Sequence, residues 1–259
     1  MRMKKIMLGN EAYAQGAYEA GVNVVSSYPG TPSTEVTENV VKHDEVYAEW
    51  APNEKVALEV AAGAAYGGAR ALSCMKHVGL NVAADPLFTA SYTGVNGGLV
   101  VLVADDPGMH SSQNEQDSRF YARSAHLPML EPADSGEAKE FMKRAFELSE
   151  QFDTPVLLRS NTRISHSRGV VEIGERTEVP VKPYEKNIQK YVMMPGMAKK
   201  RHVVVEQRMK DIAAYADTCD LNRVEYNDTE VGVVTSGTCY NYVKEALPNA
   251  SVLKLGMVY

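Results

Sequence analysis

"GGLVVLVADDPG", residues 97–108, is the stretch that decides the fold class. Its apolar run lacks the polar–apolar alternation of a strand with one face in water, so it predicts a strand buried on both faces. Three further runs have the same character: "VNVVSSYPGTPS" (22–33), "ARALSCMK" (69–76) and "TPVLLRS" (154–160). Segments with helical spacing separate them, among them 10–21, 81–94 and 135–153. Buried strands alternating with helices predict an α/β fold, with a parallel sheet covered by helices on both faces.

Composition excludes several classes of protein. The 259 residues are 44 % hydrophobic and 23 % charged, as in an ordinary globular protein. The net charge of -6 argues against nucleic acid as a partner, and no apolar run is long enough to cross a membrane. Cys74, Cys219 and Cys239 are isolated, so the sequence predicts neither a disulfide framework nor a metal site. These features predict a cytoplasmic protein.

The pattern changes after about residue 175. A polar, proline-containing stretch (175–202) predicts a linker, and 203–219 predicts a helix. Residues 231–237, 239–247 and 251–259 then predict strand, helix and strand, which is one βαβ unit. One such unit cannot bury both faces of its own strands, so we expect an incomplete, apparently truncated second α/β domain. The expected division is a first domain at 1–178, a linker with a helix at 179–229, and the start of a second domain at 230–259.

The helix predicted within "APNEKVALEVAAGAAYGGARAL" (51–72) has an acidic residue in its first turn. Ala57, Ala61, Ala64 and Gly68 follow Glu54 at spacings of three and four, which indicates a face of small residues. Such a face allows close approach by another backbone or a flat ligand. A simpler interpretation is that Glu54 only complements the helix dipole.

Polar segments follow three of the predicted strands: 27–33, 76–81 and 105–119. The carboxyl ends of parallel strands share one edge of a sheet, where open α/β folds bind ligands. Each segment alone could be an ordinary turn or a solvated loop. Their combination favours a ligand site, and no HxH or HxxxH spacing supports a metal there.

Five stretches together resemble a known family. They are "YPGTPS", "NEKVALEVAAGAAYGGARAL", "MKHVGLNVAADPL", "VVLVADDPGMHSSQNEQDSR" and "TPVLLRSNTRISHSRGVVE". They resemble the α subunits of indolepyruvate:ferredoxin oxidoreductases, which belong to the thiamine-diphosphate-dependent 2-oxoacid:ferredoxin oxidoreductases. The resemblance implies a pyrimidine-type thiamine-diphosphate-binding domain in the first part of the chain. It also implies oxidative decarboxylation of aryl pyruvates to aryl-acetyl-CoA, with ferredoxin as electron acceptor.

The resemblance assigns roles to particular residues. Glu54 matches the glutamate that hydrogen-bonds N1′ of the aminopyrimidine and favours its imino tautomer; desolvation must then outweigh the helix N-terminus, which favours the carboxylate. The implied cofactor-binding residues are Tyr28, Pro29, Gly30, Thr31, Pro32, His77, Gly79 and Asn81. The implied substrate-binding residues are Thr31, His110, Asn114 and Arg119. None is implied as a metal ligand.

The same resemblance implies components that this sequence does not supply. The family holds Mg²⁺ through a Gly-Asp-Gly motif and carries [4Fe–4S] clusters on grouped cysteines, whereas this sequence has no Gly-Asp dipeptide and no cysteine cluster. We therefore expect only the pyrimidine end of thiamine diphosphate to be bound here. A β subunit, CoA, ferredoxin and a dimer of heterodimers are expected in the complete complex. The alternative is a truncated, non-catalytic assembly module with the same fold.

Overall fold

A computed structural model describes residues 3–259. Strands and helices alternate along most of the chain, as the sequence predicts. In chain order they are β1 (Met3–Leu8), α1 (Gly9–Glu19), β2 (Val24–Ser27), α2 (Thr34–Val40), β3 (Tyr47–Trp50), α3 (Glu54–Tyr66), β4 (Ala71–Lys76), α4 (His77–Val82), α5 (Ala84–Thr93), β5 (Leu99–Asp105), α6 (Arg119–Ala125), β6 (Met129–Leu130), α7 (Ser135–Phe152), β7 (Val156–Asn161), α8 (Thr162–His166), β8 (Arg168–Ile173), α9 (Ile188–Tyr191), α10 (Pro195–Ala216), β9 (Arg223–Glu225), β10 (Gly232–Ser236), α11 (Cys239–Ala246) and β11 (Ser251–Leu255).

The main sheet has six strands in the order β3-β2-β4-β5-β7-β6, all of them parallel. From β2 the chain moves outward to β3 and then crosses back to β4, so the strand order reverses between β2 and β4. In open α/β folds, ligands bind in the crevice outside the carboxyl ends of the strands at such a reversal. The predicted parallel sheet is therefore confirmed. Its topology indicates that a ligand would bind at the carboxyl ends of β2 and β4.

Helices cover both faces of this sheet. On one face α1 and α7 pack with the strands around Tyr13, Met142 and Phe146. On the other, Leu58 of α3 and Leu87 of α5 pack against residues of β4 and β5. Every residue of β4 and β5 is buried, which explains their continuous apolar sequence. The two apolar layers account for the fold class predicted from the sequence.

Several elements differ from the sequence prediction. Helix α10 begins at Pro195, so residues 195–202, which we expected in the linker, are helical. Proline suits the first position of a helix, but "MMPG" in isolation also reads as a turn. Residues 77–80, expected in a turn, are helical in α4, and the helix expected over 81–94 is divided between α4 and α5. Strands β1 and β8 were not predicted, because they pair only with each other across most of the first domain.

The carboxyl-terminal part contains the predicted βαβ unit: β10 and β11 are parallel and are joined through α11. An unpredicted third strand, β9, lies antiparallel to β11. The unit contacts the main sheet at β6, where the Met129 N–H donates to the Tyr259 carbonyl at 3.2 Å. The predicted domain limits at 178 and 229 stay predictions. No helix between residues 3 and 259 is long and apolar enough to cross a membrane.

Candidate functional site

Glu54 lies in the first turn of α3, directly after the amino-terminal cap Asn53. The Asn53 side-chain oxygen accepts a hydrogen bond from the Val56 N–H at 3.0 Å, which fixes where the helix starts. The Glu54 side chain is half-buried and reaches α4. A Cβ atom built on Gly79 would lie 2.5 Å from Glu54 Oε1, so the carboxyl group occupies the space that a side chain at position 79 would need.

On the predicted face of small residues of α3, Ala57 is fully buried and Ala64 is half-buried. Ala61 and Ala65 are fully buried and belong to the apolar layer that contains Leu58 and Leu87. Gly68 lies beyond the end of the helix with a φ of +100°. Close approach by the protein itself, one of the two interpretations of this face, therefore fits Ala61, while the approach of a flat ligand stays a prediction.

The turn after β2 is held together by its own polar groups. The Gly30 N–H donates to Thr34 Oγ1 at 2.8 Å, and the Ser33 hydroxyl donates to the Gly30 carbonyl at 2.9 Å. The peptide between Thr31 and Pro32 is cis. Tyr28, Pro29 and Thr31 are exposed at this edge, whereas Pro32 is buried. Because the Gly30 N–H is already satisfied, this turn offers side chains, not that amide, to a ligand.

Helix α4 carries two of the predicted cofactor-binding side chains, one buried in the protein and one exposed to solvent. His77 is buried, and its Nε2 lies 3.2 Å from the Asn114 carbonyl, while its Nδ1 has no hydrogen-bond partner in the described chain. Asn81 is exposed, and its side-chain oxygen accepts a hydrogen bond from Tyr121. Buried polar atoms in proteins are normally hydrogen-bonded, so the unpartnered Nδ1 marks this point of the edge.

The predicted substrate-binding residues of 105–119 are exposed. Arg119 begins α6, and its guanidinium contacts the Asp117 carboxylate through Nε at 2.9 Å and through Nη2 at 2.8 Å. The hydrogen bond to Asp117 raises the pKa of Arg119 above its usual value. Asn114 contacts His77 only through its backbone, and His110 lies near Gly108. Of these three residues, Asn114 thus lies next to His77, whereas the charge of Arg119 is paired with Asp117 of the same loop.

Asp106 holds this loop, a role that we did not predict. Its carboxylate accepts hydrogen bonds from the Ser111 N–H at 2.7 Å, the Ser112 hydroxyl at 2.6 Å and the Thr162 hydroxyl at 2.7 Å. Burial alone would raise the pKa of Asp106, but these hydrogen bonds outweigh it and keep the pKa well below its usual value. An acidic pair at the end of a buried strand was the available sequence signal.

Replacing Asp106 by asparagine is expected to lower the free energy of unfolding at pH 7 by about 1–3 kcal/mol, because three donors lose a charged acceptor. The folded-state pKa is depressed, so this contribution is complete above the unfolded pKa of about 4 and is lost as the pH falls below it. The difference between wild type and variant should therefore shrink from pH 5 to pH 3. Urea unfolding at several pH values measures it, with exposed Asp85→Asn as control; a constant difference would contradict the prediction.

The neighbouring carboxylate, Asp105, belongs to a buried ionic network. Arg159 donates to Asp105 Oδ2 at 2.8 Å and also contacts Glu131. Burial raises the pKa of Asp105, although the Arg159 charge opposes this. Glu131 also accepts a hydrogen bond from the Ser236 hydroxyl at 2.9 Å. The network therefore joins the carboxyl ends of β5 and β7 to β10.

Lys76 ends β4, between the turn after β2 and the 106–119 loop. Its side chain is 8 % exposed, and its Nζ donates to the Ser111 carbonyl. A Cβ atom on Gly30 would lie 3.3 Å from Lys76 Cβ, so the two strand ends are in contact. The sequence analysis placed Lys76 in the polar segment 76–81 at this edge, but the resemblance gave it no role of its own.

Fold and edge together define a class of protein: an open, parallel α/β protein with polar groups gathered at the reversal of its strand order. The model of a family described as pyruvate flavodoxin/ferredoxin oxidoreductase, thiamine diphosphate-binding, matches residues 15–231. The chain belongs to this family, which confirms the resemblance found in its sequence.

Curated relatives from other organisms support the same family. The indolepyruvate oxidoreductase subunit IorA of Methanothermobacter thermautotrophicus is 51 % identical over 99 % of this chain and 43 % of the relative. The subunit of the same name from Archaeoglobus fulgidus is 45 % identical over 99 % of this chain and 43 % of the relative. The chain thus spans less than half the length of these curated relatives. A solved 2-oxoglutarate:ferredoxin oxidoreductase from Magnetococcus marinus has a TM-score of 0.82 and 19 % identity, covering 100 % of this chain and 54 % of that one, and shows the fold.

Proposed function

We propose that this chain supplies the pyrimidine-activating side of the thiamine diphosphate site in an oxidoreductase acting on aryl pyruvates. The complete enzyme would oxidatively decarboxylate a substrate of the indolepyruvate type to an aryl-acetyl-CoA and pass electrons to ferredoxin. Membership of a thiamine diphosphate-binding family and the names of the relatives support this proposal.

The observation that carries the proposal is the position of the Glu54 carboxyl group. It lies against Gly79, beside the point where the strand order reverses. Because position 79 has no side chain, the carboxyl group can stay at the edge where ligands of such folds bind. The unpartnered His77 Nδ1 provides a second polar group nearby on α4. A half-buried acid and an unsatisfied ring nitrogen fit a flat heteroaromatic ring that carries its own donors and acceptors.

Thiamine diphosphate, when bound, supplies a carbon nucleophile for the 2-oxo carbonyl and accepts the electron pair released by decarboxylation. In this proposal Glu54 holds a proton at N1′ of the pyrimidine. The residues that would hold the pyrimidine end of the cofactor are those of the turn after β2 and of α4: Tyr28, Pro29, Gly30, Thr31, Pro32, His77, Gly79 and Asn81.

Substrate-binding roles for Thr31, His110 and Asn114 stay part of the proposal, because these side chains lie at or near the same edge. The Arg119 guanidinium is already paired with Asp117. A carboxylate substrate would have to replace Asp117 as its partner.

Other components come from elsewhere in the proposed complex. Between residues 3 and 259 no three His, Cys, Asp or Glu side chains are grouped to hold a metal ion. In this proposal Mg²⁺, the diphosphate end of the cofactor and the [4Fe–4S] clusters belong to other segments or subunits, because the sequence has no Gly-Asp dipeptide and no cysteine cluster. CoA, ferredoxin, a β subunit, a dimer of heterodimers and a cytoplasmic location complete the proposal.

A chimaeric enzyme tests this function. Residues 1–259 replace the matching part of the Methanothermobacter thermautotrophicus relative, which is produced with its partner subunit. We expect CoA-dependent reduction of methyl viologen with phenylpyruvate or indolepyruvate as electron donor. The 259-residue chain alone should give no reduction, because its three isolated cysteines cannot hold a cluster. A folded chimaera that binds thiamine diphosphate but oxidises no 2-oxo acid would contradict the proposal and favour the non-catalytic assembly module.

A further inference from the structure

Lys76 is a buried cation without a carboxylate partner. Among residues 3–259 three lysines are buried: Lys76, Lys139 and Lys254, with exposed fractions of 8 %, 3 % and 0 %. Lys139 lies 3.0 Å from Glu19 Oε2, and Lys254 is paired with Glu137. Within the same range no carboxylate lies at ion-pair distance from Lys76, whose Nζ contacts only the Ser111 carbonyl. The chain thus compensates its other buried lysines and leaves this one uncompensated.

Nearby cations at the same edge are already neutralised. Arg119 is paired with Asp117. Arg159 is paired with Asp105 and Glu131. Lys76 therefore differs from Arg119 and Arg159, because it still has hydrogen-bond donors without a partner. An ammonium group has three N–H donors, and the Ser111 carbonyl accepts one of them.

Burying a charge without a counter-charge is costly, so such an arrangement normally persists only where it has a function. The position of Lys76 indicates what the missing anion is. It ends the central strand β4, touches Gly30 of the proposed cofactor turn, and directly precedes His77 and the helix that carries Gly79. An anion bound there lies at the reversal of strand order.

We propose that Lys76 binds the carboxylate of the 2-oxo acid substrate. This inference rests on the function proposed above and names the residue that recognises the acid group. One ammonium matches one carboxylate, whereas the diphosphate of the cofactor carries several charges and calls for a metal ion or several donors. The Ser111 carbonyl orients the ammonium, and the Asp106 carboxylate fixes Ser111 through its N–H. Asp106 is thus a positioning residue for Lys76.

The test uses the chimaeric enzyme with Lys76→Met, which keeps the length of the side chain and removes its charge. Losing one member of a buried, hydrogen-bonded charge pair raises KM for phenylpyruvate by about 30- to 3,000-fold. Lys76→Arg restores part of this loss because it restores the positive charge. Exposed Lys42→Met is the matched control and leaves KM unchanged within about twofold.

Three further measurements separate the alternatives. Phenylacetone has the ring and ketone of phenylpyruvate but a methyl group in place of the carboxylate, so it should inhibit wild type and Lys76→Met equally. The affinity for thiamine diphosphate should not change. The Tm of Lys76→Met should rise by about 2–4 °C, since an uncompensated buried charge is removed, whereas Lys139→Met should lower the Tm by breaking a buried pair.

An unchanged KM for phenylpyruvate in Lys76→Met would overturn the inference while leaving the proposed function intact. A loss of thiamine diphosphate affinity without a change in KM would overturn it in favour of the cofactor diphosphate as the anion. If the wild-type chimaera oxidised no 2-oxo acid at all, the proposed function itself would fail, and this inference with it.

Discussion

Deuterium exchange at the thiazolium carbon of bound thiamine diphosphate is expected to slow by about 10²–10⁴ when Glu54 is replaced by glutamine. Glutamine keeps the shape of the side chain but offers N1′ an amide donor in place of an acid. The carboxyl of Glu54 would no longer share a proton with the pyrimidine, so the tautomer that the exchange requires becomes rarer. The measurement uses the chimaeric enzyme loaded with cofactor, with exchange followed by NMR after acid quench.

Glu59→Gln is the matched control, since it makes the same change on the same helix. Glu59 lies five residues further on, about 140° round the helix axis, and is exposed. Its replacement should leave the exchange rate unchanged within about twofold. Cofactor affinity should survive both changes, because the diphosphate is assigned to another segment. Equal exchange in Glu54→Gln and wild type would show that Glu54 is not the activating acid.

Most of the main sheet could be predicted because its strands are buried on both faces. The stretches around β4, β5 and β7 are mainly apolar and lack a polar–apolar alternation along their length, as is typical of strands in a covered parallel sheet. Because parallel strands all end at the same edge of a sheet, the sequence also predicted that the segments after these strands lie at one edge. Strands β1 and β8 could not be predicted, since their stability depends on pairing between residues such as Met3 and Ile173, which lie far apart in the sequence.

The candidate site was only partly predictable, for a related reason. Glu54 and the 105–119 loop are visible as local patterns. The function of a polar residue, however, depends on which partners its side chain meets in the folded protein, and the sequence does not show these. Arg119 is a good candidate until Asp117 is found beside it, and Lys76 is unremarkable until its lack of a carboxylate is seen. Likewise the small residues of α3 fit either a ligand or a close-packed sheet, and the structure shows that Ala61 packs in the apolar layer of the sheet.

Gly79→Ala is expected to slow the same exchange reaction nearly as much as Glu54→Gln, with almost no loss of stability. The new methyl group would lie 2.5–2.8 Å from Oε1, Cγ and Cδ of Glu54. These atoms belong to the end of a flexible side chain, so the fold accommodates the methyl group by displacing the carboxyl. Alanine is also favoured over glycine inside a helix by about 1 kcal/mol, which offsets the cost of that displacement.

Gly63→Ala is the control for helix propensity. Gly63 lies in α3, is exposed, and a Cβ there would meet no atom within 4 Å. It should raise the free energy of unfolding by about 1 kcal/mol and leave exchange unchanged. The double variant Gly79→Ala with Glu54→Gln should exchange no more slowly than the slower single variant, because both changes remove the same contact. If Gly79→Ala unfolded the chain, or if the two effects multiplied, Gly79 would act on the fold or on the cofactor directly, and not through Glu54.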